Sequence, residues 1–259
     1  MIDQLRFLVL APLATLAFVV LLVLPGAFLA DRLVGSGRSL TARLALSVAV
    51  SQAVLTIAGG VLASMGQFSG GVVALVAVVL SVVSLPTLRR WAHDARPALP
   101  TLGWVGLMAT PWVVFVGAPG LPPADTLQWY YAGLGAQLSE ARGIPTAVAE
   151  WGQHIRWLPD YLVFNVDSEA YLALLSFVPR ADALSAWRVP VMLVGLYMLI
   201  AVMRLWVGRA PAIAGATLVA GGAFFLAKFD AYKPESLGIV LGLIALWLAV
   251  RGVRSGRRS

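Results

Sequence analysis

Long apolar runs alternate with short, arginine-rich polar stretches along most of the chain. Such runs, when they are long enough to cross about 30 Å of hydrocarbon, predict transmembrane α-helices. The first run is too long for the apolar core of a signal peptide and is followed by others, so it is interpreted as a retained helix. The pattern therefore predicts an all-α, polytopic membrane helix bundle with about seven transmembrane helices. The predicted spans are 7–30, 44–64, 70–88, 102–118, 187–207, 211–228 and 235–251.

The composition supports a membrane protein. Of the 259 residues, 60% are hydrophobic and 12% are charged, whereas a soluble domain is usually about 45–50% apolar and about 25% charged. A net charge of +7 would suggest a nucleic-acid partner in a soluble protein. Here the arginines lie between apolar runs, as the positive-inside rule expects, so no nucleic-acid partner is predicted. The absence of cysteine excludes disulfides and thiolate metal sites, and two histidines argue against a His-based metal site.

The arginines also predict the orientation. Basic residues concentrate in the 31–43 loop, in the 89–101 loop, at Arg204 and Arg209, and in the C-terminal tail. All four stretches fall on one side if the N-terminus is outside and the C-terminus is cytoplasmic. We therefore expect a multi-pass protein of the cell membrane with that orientation.

The predicted organisation is a single transmembrane domain, 1–259, interrupted by one long polar segment. The first four helices occupy 1–118, the last three occupy 187–251, and a basic cytoplasmic tail covers 252–259. The extracytoplasmic loop 119–186 is too long for a simple connector, and such loops are often functional. Its acidic residues are Asp125, Glu140, Glu150, Asp160, Asp167, Glu169 and Asp182.

Two segments of this loop are predicted to be helices in the outer membrane interface. Residues 168–178 are apolar but too short to cross a membrane, and counting them as a span would break the arginine pattern. Residues 126–142 carry apolar side chains at three- and four-residue steps, which gives the helix one apolar face. Asp125 stands at the N-cap position, and Gly143 is predicted to cap the other end.

Asp125 has two compatible interpretations. As an N-cap it begins a helix, with Gln128 three residues on, as in a capping box. As a partly buried carboxylate at the membrane rim, it could act as a general base toward an acceptor hydroxyl. One carboxylate has two oxygens and can serve both purposes. Trp129 and Tyr130 suit the interface, where aromatic rings with a polar edge concentrate.

The stretch ADTLQWYYAGLGAQLSEARGIP, 124–145, resembles the first outer loop of the polyprenyl-phosphate-dependent glycosyltransferases of the GT-C superfamily. In that family an acidic residue is followed by aromatic and small residues and by a Gly-x-Pro-like break, here Asp125, 129–132 and 143–145. The segment KPESLGIVLGLIALWLAV, from Lys233, resembles a later family segment in which a basic residue, Pro and Glu open a membrane helix. The chain is shorter than most members, which leaves open a fragment such as the N-terminal membrane module, a minimal module or an inactive subunit.

The resemblance implies an inverting transfer on the extracytoplasmic side. Asp125 would deprotonate an acceptor hydroxyl, which attacks the anomeric carbon of a sugar carried on a polyprenyl phosphate in the membrane lipid. Cations must then hold the leaving lipid phosphate. The candidates are His154, Arg156, Lys228 and Lys233, with Asp230, Glu235, Trp129 and Tyr130 in supporting roles. The acceptor, whether glycan, lipid or protein, stays open.

The predicted topology places the 119–186 segment and the turn before the last span on the same outer side, which indicates how the site is assembled. Asp125, Lys233 and Glu235 are predicted to border one outward-facing cavity. Thr126 stands where many family members have a second acid, so no metal ligand is assigned and the need for a divalent cation stays open. Asp230 and Lys233 have a structural alternative as a pair with each other, and Glu235 also suits the dipole at a helix N-terminus.

Two other functions compete with the glycosyltransferase. The first is a non-catalytic membrane assembly subunit, favoured by the short chain and the missing second acid. The second is a lipid or solute transporter, disfavoured because predicted mid-membrane positions are nearly free of charge and no internal repeat occurs. Ser47, Ser51 and Gln52 in the second span are accordingly predicted to be interhelical hydrogen-bonding groups and not parts of a transport path.

Overall fold

A computed structural model describes residues 2–34, 39–115, 126–144, 160–222, 229 and 234–256. Every regular element within these ranges is helical, which confirms the predicted all-α class for them. The α-helices are α1 (Ile2–Leu22), α2 (Leu24–Val34), α3 (Leu40–Ser64), α4 (Gly70–Asp94), α5 (Leu99–Phe115), α6 (Thr126–Ala141), α7 (Asp160–Leu174), α8 (Arg180–Met203), α9 (Arg209–Ala220) and α10 (Pro234–Gly256). A 3₁₀ turn, Arg96–Ala98, precedes α5.

Within the described ranges, five helices are long and apolar enough to cross a membrane, so the chain is a helical membrane protein. These stretches are Leu5–Leu22, Leu40–Ser64, Gly70–Leu88, Arg180–Met203 and Pro234–Arg254. Each of them overlaps one of the seven predicted spans, with bounds that differ by several residues at some ends. The other two, 102–118 and 211–228, run past the ends of α5 at Phe115 and α9 at Ala220. The total of seven stays a prediction.

The first predicted span, 7–30, consists of two helices that meet at Val23. Pro25 explains the interruption, because proline has no N–H to donate to a carbonyl one turn back. After the break, α2 packs closely on α3 and α4. The Gly26 N–H donates to Ser51 Oγ at 2.8 Å, which fixes the start of α2 against α3.

The polar residues of α3 bond to neighbouring helices, as predicted. Ser51 accepts the bond from α2, and Ser47 Oγ donates to the Val23 carbonyl. Gln52 Nε2 donates to Asp167 Oδ2 on α7 at 2.6 Å. Interhelical bonds of this kind join helices in an apolar medium, so α3 connects α2 to α7.

α7 corrects the prediction that 168–178 lies in the membrane interface. Every residue from Phe164 to Tyr171 is buried, whereas an interfacial helix leaves one face exposed. α7 packs against α1, α3, α4, α6, α8 and α10. For 168–171 the prediction was wrong because it used length alone: a 15-residue helix is too short to cross, but a short apolar segment can also be a buried core helix. Phe177, beyond the end of α7, is exposed.

α8 is the most enclosed of the five candidate spans, with 78% of its apolar stretch buried. Its Trp187 is fully buried and makes edge-to-face contacts with three rings. The ring centroids lie 5.5 Å from Phe18, 6.4 Å from Phe164 and 4.9 Å from Tyr171. This geometry is favourable for aromatic pairs, and it joins α1, α7 and α8 into the centre of the bundle.

Candidate functional site

Charged and polar side chains bring several helix ends together at one end of the bundle. Asp31, near the end of α2, pairs with Arg90 at 3.0 Å and with Arg43 at 3.6 Å. Thr41 and Tyr197 share a hydrogen bond of 2.7 Å. The end of α2, the start of α3, the end of α4 and the last part of α8 therefore lie together.

The C-terminal helix joins this same end. Arg254 of α10 donates to the carbonyl of Leu205, shortly after α8 ends. All four predicted basic stretches thus contribute to one end of the bundle, which is called the basic end below. Its assignment to the cytoplasm stays a prediction of the positive-inside rule.

A polar cleft of about 820 Å³ opens at the opposite end of the bundle. It lies where α3 ends and α4 begins, beside the end of α6 and one face of α7. The Phe68 N–H donates to the Arg142 carbonyl at 2.7 Å and joins two walls of the cleft. The polar side chains that line it are Gln67, Ser69, Ser139, Arg142 and Glu169.

Arg142 ends α6 in an unusual backbone conformation. Its φ is +52°, in the left-handed region that non-glycine residues seldom adopt. Gly143 was predicted as the cap, but Arg142 takes the left-handed conformation instead. Gly143 is small for another reason: a Cβ there would approach the Ala63 carbonyl oxygen to 3.1 Å. The end of α6 therefore packs directly on the end of α3.

Glu169 is the buried carboxylate of the cleft. It pairs with Arg180 through Nη2, and Arg180 Nη1 lies 3.3 Å from its Oε2. Ser139 Oγ donates to the same oxygen at 2.8 Å, and Arg180 Nη2 also donates to the Ala132 carbonyl at 3.2 Å. Because both carboxylate oxygens are engaged, Glu169 is an oriented, ion-paired wall of the cleft and not an available base.

A second carboxyl group lies deeper in the bundle. Asp167 is fully buried and bonds to Gln52, the middle residue of α3. Asp167, one of the acids of the predicted extracytoplasmic segment 119–186, is therefore a core residue and is not exposed to water; the side of the membrane on which that segment lies stays a prediction. Ionisable groups at such depth are costly and tend to be functional, so the argument that mid-membrane positions are nearly uncharged loses force.

Several buried polar atoms of α7 and of Gln52 have no hydrogen-bond partner among the described residues. They are Asp167 Oδ1, Gln52 Oε1 and both amide atoms of Asn165. Asn165, like Asp167, is fully buried. Buried polar atoms nearly always have a partner, and Trp187 Nε1 and Thr101 Oγ1 are further exceptions in the described core; the group on α7 differs from these because it includes an ionisable side chain.

An apolar groove of about 590 Å³ runs between α1, α5 and α8. Its lining includes Leu8, Leu16 and Val189. A second apolar cavity of about 340 Å³ shares Gly106 and Leu193 with it. A Cβ added to Gly106 would meet no atom within 4 Å, so this position faces open space in the groove.

The helix predicted after Asp125 is confirmed, since α6 runs Thr126–Ala141. Tyr131, Leu134 and Leu138 of its predicted apolar face are buried. That face packs on α7 and not on the membrane surface: the ring centroid of Tyr131 lies 6.2 Å from that of Phe164.

Most of the predicted site residues lie outside the described part of the chain. They are Asp125, His154, Arg156, Lys228, Asp230 and Lys233. Trp129 and Tyr130 lie in α6, but their side chains are not among those described. Glu235 is exposed in the first turn of α10. The predicted convergence of Asp125, Lys233 and Glu235 on one cavity stays a prediction.

Sequence reasoning missed Asp167, Glu169 and Arg180. A signal for the two acids was present, because FNVDSEAYLALL places Asn165, Asp167 and Glu169 at alternate positions within an apolar run. Ionisable residues in such a run mark a candidate site. Arg180 offers no such signal, since its partner on α7 is recognised only in space.

Neither metal binding nor relatives identify the site. In the part of the chain that the structure describes, no group of three or more His, Asp or Glu residues could hold a metal ion. No protein-family model, no curated protein and no solved structure matches the chain. The functional interpretation therefore depends on the chemistry of the molecule itself.

Proposed function

We propose that this chain is a membrane-embedded glycosyltransferase, or the membrane module of one, which transfers a sugar from a polyprenyl-phosphate donor to an acceptor hydroxyl. Asp125 is the general base. The observation that supports this most is the apolar groove between α1, α5 and α8. A polyprenyl donor needs such a groove, because its long apolar chain lies among the helices while its phosphate stays at the aqueous edge.

The position of the groove suits this role. Ala109 and Thr110 of α5 line it, and α5 ends shortly afterwards at Phe115. The chain then runs through 116–125 to Asp125, directly before α6. A lipid tail in the groove would direct its phosphate toward the end of the bundle from which the chain leads to Asp125.

The polar cleft is a poor alternative location for the transfer. Glu169, its buried carboxylate, is already engaged by Arg180 and Ser139. The cleft also lies beside the last turn of α6. The 16 residues of this helix span about 24 Å, so the cleft lies one helix length from the end of α6 that follows Asp125. We therefore assign the chemistry to the Asp125 end of α6. Phosphate binding is assigned to the cations His154, Arg156, Lys228 and Lys233, supported by Glu235 and Asp230.

The decisive experiment replaces the base and leaves the helix in place. With the purified protein in lipid vesicles and a polyprenyl-phosphate sugar as donor, Asp125→Asn is expected to lower transfer by about 10²–10⁴-fold. Asparagine keeps the N-cap function of the aspartate, so α6 is retained. Glu140→Gln, an exposed acid at the other end of α6, is the matched control and keeps full activity. Unchanged transfer by Asp125→Asn would remove the base assignment.

A further inference from the structure

We propose that Asp167 is a proton-binding site in the bundle core, where its protonated carboxyl group and the Gln52 amide form a two-point hydrogen-bonded pair that holds α7 on α3. The pair joins a carboxylic acid and an amide side by side. This inference stands on the interior of the bundle alone and is independent of the proposed glycosyltransferase activity.

The hydrogen bond between the two side chains leaves one acceptor atom on each of them without a donor. Gln52 Nε2 donates to Asp167 Oδ2 at 2.6 Å, which brings the amide and the carboxyl group together. The remaining atoms of the two groups, Asp167 Oδ1 and Gln52 Oε1, have no partner among the described residues. Both atoms are acceptors when the carboxylate is ionised. A proton on Oδ1 makes that oxygen a donor, and in the proposed pair Oε1 is its acceptor, so a single proton would satisfy both atoms.

Burial favours the same conclusion. Asp167 is 0% exposed and Gln52 is 7% exposed. An ionised carboxylate in such surroundings is costly unless a cation compensates its charge. Within the described ranges, no Lys, Arg or His forms an ion pair with Asp167.

The charged groups on the helices around α7 are engaged elsewhere or lie at helix ends. Those with partners are Glu169 with Arg180, Asp182 with Arg6 at 2.8 Å, Arg43 with Asp31, and Arg188, whose guanidinium lies 5.2 Å from the centroid of the Phe7 ring. The Tyr171 hydroxyl donates to the Ala183 carbonyl, and Tyr197 shares its hydrogen bond with Thr41. Glu140 at the end of α6, and Glu235, Arg251 and Arg254 at the two ends of α10, are exposed. The stretch 70–88 of α4 has no ionisable residue.

A proton explains the site better than a metal cation does. A further hydrogen bond of the pair runs from Gln52 Nε2 to Thr56 Oγ1 at 3.4 Å. Hard cations generally need six or more oxygen ligands, and no metal-binding group of acids or histidines occurs in the described ranges. One proton needs only the two atoms already present.

Infrared spectroscopy tests the protonation state directly. We expect the full-length protein in lipid nanodiscs at neutral pH to show the C=O stretching band of a protonated carboxylic acid. Asp167→Asn removes this band, whereas Asp182→Asn, in the first turn of α8 and ion-paired with Arg6, leaves it unchanged. If the wild-type protein shows no such band, or if the band survives in Asp167→Asn, the proposal is wrong.

Thermal unfolding tests the two-point pair. Asn at 167 offers the same donor and acceptor as a protonated Asp, so Asp167→Asn is expected to melt within about 2 °C of the wild type at neutral pH. Asp167→Leu leaves Gln52 unpaired and is expected to melt roughly 2–12 °C lower. Equal destabilisation by Asn and Leu would overturn the pair. If the Leu variant does not fold, the Asn variant and the infrared band still decide.

The pH dependence has a defined sign. In the unfolded chain an exposed aspartate releases its proton above about pH 4, while the folded state keeps it. The unfolded state is therefore favoured as pH rises from there, and the melting temperature of the wild type is expected to fall. Asp167→Asn has no proton to release at this position and should show a smaller decline. A wild-type melting temperature that rises with pH relative to Asp167→Asn would contradict the proposal.

Discussion

α5 and α7 are short helices of similar length, 17 and 15 residues, but their surroundings are opposite. α5 exposes large apolar side chains, among them Trp104 at 46% and Leu107 at 60%. α7 carries Asn165, Asp167 and Glu169 and buries all three. The more apolar helix is thus the more exposed one, and the more polar helix occupies the centre.

This reversal of the usual inside–outside pattern is expected because the helices are surrounded by lipid and not by water. In lipid, a leucine gains little by moving inward, because lipid tails are as apolar as the protein core. Polar and ionisable side chains, in contrast, must find partners inside the bundle. α7 is therefore held by hydrogen bonds and by close approach to small residues, and α5 by apolar contacts along one side. Three substitutions test this difference.

The largest effect is expected where α7 meets α4. A Cβ on Gly70 would come within 2.5 Å of the Glu169 carbonyl oxygen, which belongs to the backbone and cannot move aside. Gly70→Val is expected to destabilise the protein by about 3 kcal/mol, measured by thermal or denaturant unfolding. Gly71→Val is the matched control, because a Cβ there meets only Ser69 Oγ at 3.6 Å. Equal losses in the two variants would show that α7 does not depend on this contact.

A smaller effect is expected from the ion pair that fixes α7 to α8. Arg180→Gln leaves the buried Glu169 without its cation, at a cost of about 1–3 kcal/mol, since the Arg180 side chain is partly solvated. Glu169→Gln in the same protein removes the uncompensated charge and should recover part of the loss. A double-mutant cycle in unfolding experiments measures this coupling. Additive losses would mean that the two side chains do not interact in the membrane.

The smallest effect is expected on α5, where the lipid-facing side should tolerate change. Gly106→Leu fills the groove with little change in stability, but it should weaken binding of a polyprenyl phosphate about tenfold, as displacement of roughly two methylene groups predicts. Gly103→Leu is the control, since a Cβ at Gly103 also meets open space but does not line the groove. Photo-crosslinking with a lipid-phosphate probe measures the binding of the probe by both variants. Equal binding by the two variants would argue against the groove as the donor site.

Much of the helical architecture could be predicted from the sequence, because apolar run length and arginine placement are local signals. The same holds for α6, whose start after Asp125 follows from proline, cap and periodicity. α7 could not be predicted, since a 15-residue segment is compatible with the interface and with the core. Gln52, the partner of Asp167 on α7, lies 115 residues away in the chain, and no local sequence pattern predicts that pairing.

The candidate site also has one part that the sequence predicts and one part that it does not. The side chain of Asp125 was selected from its neighbours in sequence, and the groove beside α5 was not foreseen at all. A groove arises from the spacing of three helices, and sequence periodicity does not report how far apart helices stand. The small size of Gly106 gives a hint of the groove, but a glycine in a membrane helix also favours close helix packing.

The break at Val23 also bears on how the protein is assembled. The end of α1 leaves carbonyl groups that no residue of its own helix can satisfy, and hydrocarbon offers no water to replace a donor. Ser47, on the next candidate span, donates to the carbonyl of Val23, the residue between α1 and α2. This bond can form only when α3 lies beside the break, so we expect α1 and α2 to reach their final packing after α3 has entered the bilayer.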